Sequence, residues 1–456
     1  MKAHRAWSYA PYRPPFTDCG SPYVCRVAPA ADRIRLEWLP DGSARYRVFY
    51  RQRGTEEYRL AGTTADTAMT VTGLTCGETY ECYVEGERGR SRVRLARCGA
   101  YVDTMVNYLH PEDPAYDFSG RYLCSPSLVR HPDGFLLASM DLFAPQYPQN
   151  LTLIFRSDDD GATWHYQTEL FPCFWGKLFC RGREVYMLAV STEYGDLLLG
   201  RSDDGGRTFS EPAVLLRGSG GKNGEAGVHK NPQTVLRFGG RIWNTLEWGS
   251  WGRGYHAPMV MSAPEDCDLM DPDNWRFSEP VRYDPTWPGV AEGPSTGNVE
   301  GALVAMHGGL YNVMRYDMSR TTPNYGRVLA YRVDPDHPEA PLRYDHAIAF
   351  PANYSKFEIR YDEKTGKYWS IASRILDGDH TGDRNLLSLM VSEDGEHWRL
   401  DRDLIDRRQE DPTRVGFQYV DFFTENGKAY YLCRTAMNGA HSFHDSNCIT
   451  FGTVIL

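Results

Sequence analysis

HPDGFLLASM at 131–140 reads as a polar lead, a turn glycine and an alternating apolar run. The phrase recurs as RGREVYMLAV (181–190), FGGRIWNTLE (238–247), HGGLYNVMRY (307–316), KTGKYWSIAS (364–373) and ENGKAYYLCR (425–434). An apolar-rich run precedes each copy, so each predicts a β-hairpin with its glycine in the turn. The turn glycines Gly134, Gly182, Gly240, Gly309, Gly366 and Gly427 fall 48 to 69 residues apart. An all-β unit repeated at that length predicts a six-bladed β-propeller over 103–456, in which one loop per blade converges on a central channel.

The chain has 456 residues, too many for one ordinary domain, and the repeats leave about 100 in front of them. A hydrophobic fraction of 41% and a charged fraction of 24% belong to a globular protein. The net charge of −10, with no basic run, argues against nucleic acid and anionic membrane as partners. No stretch approaches the roughly 18 apolar residues of a membrane span, so no membrane insertion is expected. The opening MKAHRAWSYAPYRPPFTDCG lacks an apolar h-region. That predicts no signal peptide and a cytoplasmic location, or secretion if a leader has been removed. The Asn150-Leu-Thr152 sequon is set aside on the same ground. The 11 cysteines show no zinc-ligand spacing, and buried free thiols are expected. No cofactor and no metal are expected.

Residues 1–18 form a lead segment, and 19–102 read as short alternating strands around Trp38 and Tyr46-x-Val48-x-Tyr50. The run Leu74-Thr-Cys-Gly-Glu-Thr-Tyr80-x-Cys-x-Val84 has the form of a tyrosine corner. This segment resembles the fibronectin type III module, which implies a β-sandwich acting as a spacer or docking surface.

Ser157-x-Asp159-x-Gly161-x-Thr163-Trp164 and Ser202-x-Asp204-x-Gly206-x-Thr208-Phe209 share one pattern, and Ser392-x-Asp394-Gly395-x-x-Trp398 is a copy shortened by one residue. Serine and aspartate bond backbone groups of a tight turn, and glycine supplies the positive φ. These are Asp-boxes that look like those of sialidase-type propellers, where they close the hairpin between third and fourth strands and do not touch substrate.

In an antiparallel four-stranded blade, the first and third turns lie on one face. The opposite face then receives Cys124-Ser125-Pro126, Trp175, His229-Lys230-Asn231, Glu300, Lys356 and Gln418-Tyr419 from first strands. Second-strand ends add Asp141, Glu247, Arg315, Arg374 and Arg434, and the loops beyond add His256 and Arg384. So many ionisable groups at one end of a channel predict a binding site for a polar, anionic small ligand.

The order Glu300, Arg315, Arg384, Tyr419, spaced by 15, 69 and 35 residues, resembles the sialidase superfamily. That resemblance implies arginines holding a sugar carboxylate, a tyrosine nucleophile assisted by glutamate, and an aspartate acid/base. Here those are Arg315 and Arg384 with Arg434, then Tyr419, Glu300 and Asp141. Lys356, Gln418, Glu247, His229, His256 and Trp175 are the further expected substrate contacts. A guanidinium grips a carboxylate with two parallel hydrogen bonds, and sialidases depart from the paired-carboxylate scheme by using tyrosine. The family's first arginine, in an R-I-P motif, is replaced by Cys124, with Arg121, Arg374 or Arg434 as substitutes. SAPEDCDLMDPDNW (262–275), SKFEIRYDEKTGKYW (355–369), GFQYVDF (416–422) and HSFHDSN (441–447) resemble a broad group of bacterial sialidase-family proteins.

The expectation is an exo-acting, retaining glycoside hydrolase that takes a glycan with a terminal acidic sugar, sialic acid first. The alternatives are a lyase or other glycosidase acting on uronic acids, with Tyr419 or His229 as a lyase's base, and a glycan-binding propeller without catalysis. His441 and His444 lack helical spacing for a metal, so a capping network is expected there. Linkage and oligomeric state stay open.

Overall fold

The computed structural model describes residues 20–219, 224–290, 295, 297–317, 326–376 and 382–456. The lead segment 1–18 lies outside them. Beyond three short 3-10 turns, every named element of the described residues is a β-strand.

The front of the chain forms two facing sheets. Tyr23–Pro29, Arg33–Leu39 and Ala68–Thr72 make one. Arg59–Thr64, Tyr46–Gln52, Thr79–Gly86 and Gly89–Arg90 make the other, with Arg94–Arg97 also on Thr79–Gly86. Alternation along each strand puts Val24, Ile34, Leu36, Trp38, Val48 and Val84 between the sheets. The Thr75 amide donates to the Tyr80 hydroxyl at 2.9 Å, pinning the corner between strands.

Behind it come six antiparallel sheets in chain order. The first runs Tyr122–Arg130, Leu136–Phe143, Thr152–Ser157, His165–Leu170. The second runs Phe174–Arg181, Glu184–Val190, Leu197–Ser202, Ala213–Leu216. In the third, Gly227–His229 and Leu236–Phe238 both pair with Arg241–Ser250, followed by Tyr255–Pro264 and Arg276–Phe277. The fourth is Gly297–Met306, Gly309–Asp317, Arg327–Val333, Arg343–Ala349. The fifth is Arg360–Asp362, Lys367–Ser373, Leu386–Ser392, Trp398–Asp406. The sixth is Gly416–Glu425, Lys428–Ala436, Cys448–Ile455, and its outer strand is Thr104–Tyr108 from ahead of the first sheet.

Apolar layers join each sheet to the next. Leu137 shares a buried cluster with Met187, Leu199 with Met259, Trp243 with Leu329, and Val304 with Met390. Ile371 then shares a cluster with Phe422, and Leu432 with Leu153, which returns from the sixth sheet to the first. The sheets therefore close into a ring, with a seam of side chains buried at every joint. In the fourth hairpin the left-handed glycine is Gly308, with φ +70, and not Gly309. The ten described cysteines are free and seven are buried. Among the described residues no helix is long and apolar enough to cross a membrane.

Candidate active site

Four of the six sheets open with the same local device. The register of the first strand slips at Cys124/Ser127, Phe174/Lys177, Val299/Gly301 and Gln418/Asp421. At each slip sits a non-glycine residue with positive φ: Ser125 (48°), Trp175 (51°), Glu300 (57°) and Tyr419 (55°). A bulge re-aims a side chain that regular pleating would send along the sheet. All four residues line one cavity of about 320 Å³. Each carries roughly 1–2 kcal/mol of left-handed strain, which the surrounding sheets sustain. Cys124, Phe143, Pro145, Gln149, Glu193, His229, Trp251, Arg434 and His444 complete the wall.

Tyr419 and Glu300 are its chemical centre. Glu300 is 5% exposed, accepts from Arg315 Nη1 at 2.5 Å and shares the cavity wall with Tyr419. Burial pushes its carboxyl up, but Arg315, His229 and the neighbouring Tyr419 hydroxyl together hold it below the usual range. Burial and the Glu300 charge raise the Tyr419 phenol, while Arg315, Arg384 and Arg434 pull it down. The resting pair is thus carboxylate and neutral phenol, with three guanidinium groups near enough to act on the phenol.

Those guanidiniums differ in their partners. Arg315 is tied to Glu300, and its Nε donates to the Asn353 carbonyl at 3.3 Å. Arg384 lies 6.0 Å from the Tyr419 ring centre, hydrogen-bonded to Gln418 Oε1 and, at 3.0 Å, to the Tyr354 carbonyl. Arg434 stands 5.1 Å from the same ring and donates to the His444 carbonyl. Among the described residues neither Arg384 nor Arg434 has a carboxylate partner. Burial and the repulsion of Arg315 and Arg434 lower Arg384 to about 10, which still leaves it charged at neutral pH. Such a cluster suits an anionic ligand group.

On the opposite side, His229 Nδ1 is hydrogen-bonded to Glu247, whose other oxygen accepts from the Gly301 amide at 3.2 Å. The His229 ring meets Trp175 and His256, each at 4.5 Å between centres. His256 Nε2 meets the Tyr194 hydroxyl at 3.1 Å, and burial lowers its pKa to about 2, so it is neutral.

Of the residues the sequence assigns to this face, Cys124, Ser125, Trp175, His229, Glu300, Tyr419 and Arg434 reach the wall, with Arg315 and Arg384 beside them. Several are supports instead of contacts. Lys356 is fully buried in the channel, paired with Glu358 at 3.3 Å and bonded to the Val420 carbonyl, ahead of a strand that starts only at Arg360. Gln418 holds Arg384, Glu247 holds His229, and His256 backs the aromatic wall. Asp141 is fully buried beneath the wall, where Thr152 Oγ1 donates to it at 2.5 Å and burial raises it to about 7. Arg121 pairs with Asp117 and Arg374 with Asp403, both away from the cavity. Phe143, Gln149, Glu193 and His444 were missed. Gln149 and Glu193 lie in loops just past second-strand ends, where the chain after each strand carries the signal.

The three Ser-x-Asp turns join third to fourth strands. In the first, Ser157 Oγ donates to Asp159 at 2.8 Å and accepts from the Gly161 amide at 2.8 Å. The second and third repeat these contacts. None of the three contributes to the cavity wall.

No protein-family model matches the chain, and no curated protein does. Solved structures share its fold. A Hadza microbial sialidase is 14% identical over 99% of this chain and 99% of that chain, with a TM-score of 0.53. An α-L-arabinofuranosidase of Fusarium graminearum, bound to an iminosugar inhibitor, is 14% identical over 77% of this chain and 97% of that one, with a TM-score of 0.51. A Trypanosoma rangeli sialidase, in complex with 2,3-difluorosialic acid, is 16% identical over 77% of this chain and 58% of that one, with a TM-score of 0.51. At these identities the likeness establishes the β-propeller fold and nothing finer.

Proposed function

We propose that this chain is a retaining exo-glycosidase that releases a terminal acidic sugar, sialic acid first, from a glycan. On this reading it is a sialidase-type six-bladed propeller carrying a fibronectin type III-like sandwich. One observation carries the reading: a half-buried tyrosine beside an ionised glutamate, with three arginines nearby, two of which have no carboxylate partner among the described residues. A neutral sugar has no use for that cluster. A cavity of about 320 Å³ sits at the small end of ligand pockets, which suits one sugar unit.

The sugar carboxylate takes its place among Arg315, Arg384 and Arg434. Cys124 stands where the family has an arginine, and burial and the Asp141 charge raise its thiol to about 12, so it carries no charge. Arg434 acts on that thiol from the adjoining sheet and supplies the missing cation. Tyr419 Oη attacks the anomeric carbon as its proton passes to Glu300. A phenol does this beside a substrate carboxylate that would repel an anionic nucleophile.

The test is release of fluorophore from an aryl α-sialoside, with product anomer followed by NMR. The wild-type chain should release it with retention. Tyr419→Phe should lose about 10³-fold or more in kcat, and Arg384→Ala should lose mainly in kcat/KM. Turnover retained by Tyr419→Phe overturns the mechanism, and glycan binding without turnover by the wild type favours the non-catalytic reading.

A further inference from the structure

We propose that Glu193, oriented by Gln149, is the proton donor to the leaving oxygen; this rests on the retaining-glycosidase reading above. Among the described residues Glu193 and Glu300 are the two carboxylates on the cavity wall. Glu300 is paired with Arg315, and Asp141 is fully buried and off the wall. Glu193 acts on the Cys124 thiol, which also feels Arg434, and both glutamates act on Tyr194. The two carboxyls therefore flank one space.

The geometry around Glu193 is built to hold it. Gln149 Nε2 donates to Glu193 Oε2 at 3.3 Å, which fixes the carboxyl plane; an amide itself has no proton to give to a leaving group. Thr192 Oγ1 donates to the Pro148 carbonyl at 2.6 Å, tying the two loops together. The Trp251 amide donates to the Tyr194 hydroxyl at 3.1 Å from a third. Gln149 and Tyr194 both have positive φ, 55° and 59°, and neither is glycine. Strain gathered in two non-glycine residues around one carboxyl marks a functional position.

In the first step the bond from anomeric carbon to leaving oxygen breaks as the bond to Tyr419 Oη forms. The Glu193 carboxyl proton moves to the leaving oxygen, and the Tyr419 proton to Glu300. In the second step Glu193 carboxylate takes a proton from water, whose oxygen attacks the anomeric carbon. The phenolate departs and recovers its proton from Glu300, which restores both glutamates.

A missing acid harms substrates in proportion to how poor their leaving group is. Glu193→Gln and Asp141→Asn are compared with wild type on sialyllactose and on an aryl α-sialoside. Glu193→Gln should lose about 10²–10⁴-fold in kcat/KM on sialyllactose and less than about tenfold on the aryl sialoside, with the alkaline limb of its pH profile gone. If that variant is not recovered folded, Glu193→Ala is read on the same pair. Equal loss on both substrates, or selective loss in Asp141→Asn instead, overturns the assignment while the glycosidase reading stands. A wild-type chain inactive on both overturns the two together.

Discussion

At the scale of single residues, the direction of proton flow proposed between Tyr419 and Glu300 follows from what surrounds each. Burial alone would raise the glutamate and leave it a poor base. Arg315 at 2.5 Å, with His229 and the tyrosine hydroxyl, reverses that. On the proposed mechanism activity requires the carboxylate, so its acid limb should lie below the ordinary glutamate value of about 4.3. Arg315→Met removes the opposite charge and leaves burial to act. The Glu300 pKa must then rise, and the acid limb of kcat should move to higher pH by about 1–3 units. A pH–rate profile with an unmoved limb would show that Glu300 is not the base. Residue types at Tyr419, Glu300 and Arg315 were legible in the sequence, because chemistry is carried by side-chain identity. The support roles of Lys356, Gln418 and Glu247 were not, since a strand start does not say how deep a side chain lies.

At the scale of elements, the bulges explain why the site has the members it has. A strand alternates its side chains, and one inserted left-handed residue turns a single position toward the channel mouth. Ser125, Trp175, Glu300 and Tyr419 are those positions, and no turn residue in the sequence flags them. The Ser-x-Asp turns show the reverse case, in which sequence spacing dictates the hydrogen bonds directly. Gly161 has φ +90, and an added Cβ would come within 1.9 Å of Phe451 Cε1 in the sixth sheet. At Gly206, with φ +83, the nearest atom is a flexible Leu137 methyl at 2.9 Å. Gly161→Ala should therefore cost roughly 3 kcal/mol, from left-handed strain plus overpacking. Gly206→Ala should cost less, and denaturant midpoints check the order. Equal midpoints would mean that the Phe451 ring yields freely.

At the scale of the molecule, the front sandwich is welded to the ring through buried polar groups. Tyr23 donates to Glu169 Oε2 at 3.0 Å, Arg26 to the Val106 carbonyl at 2.7 Å, and Arg94 pairs with Asp113 at 2.7 Å. Burial raises Glu169 to about 7, against the hydrogen bond from Tyr23. Its folded pKa exceeds its unfolded one, so its contribution to stability is full below about 4.3 and lost as pH rises through about 7. Glu169→Gln should raise the melting temperature at pH 8 and leave it nearly unchanged at pH 4. Thermal unfolding at the two pH values checks this, and a pH-independent change would place the cause elsewhere.

The sequence by itself determined the hairpin repeat, the Ser-x-Asp turns and the residue types available at the site face. These depend on local periodicity and turn chemistry, which neighbours in the chain dictate. Tertiary structure alone decided that Thr104–Tyr108 completes the sixth sheet beside Cys448–Ile455. It also brought Arg434 to Cys124, placed Glu193 on the wall and sank Asp141 below it. Those outcomes depend on which sheets adjoin when the ring closes and on where each bulge turns a side chain. Both are fixed by packing between residues hundreds of positions apart, and no local pattern records them.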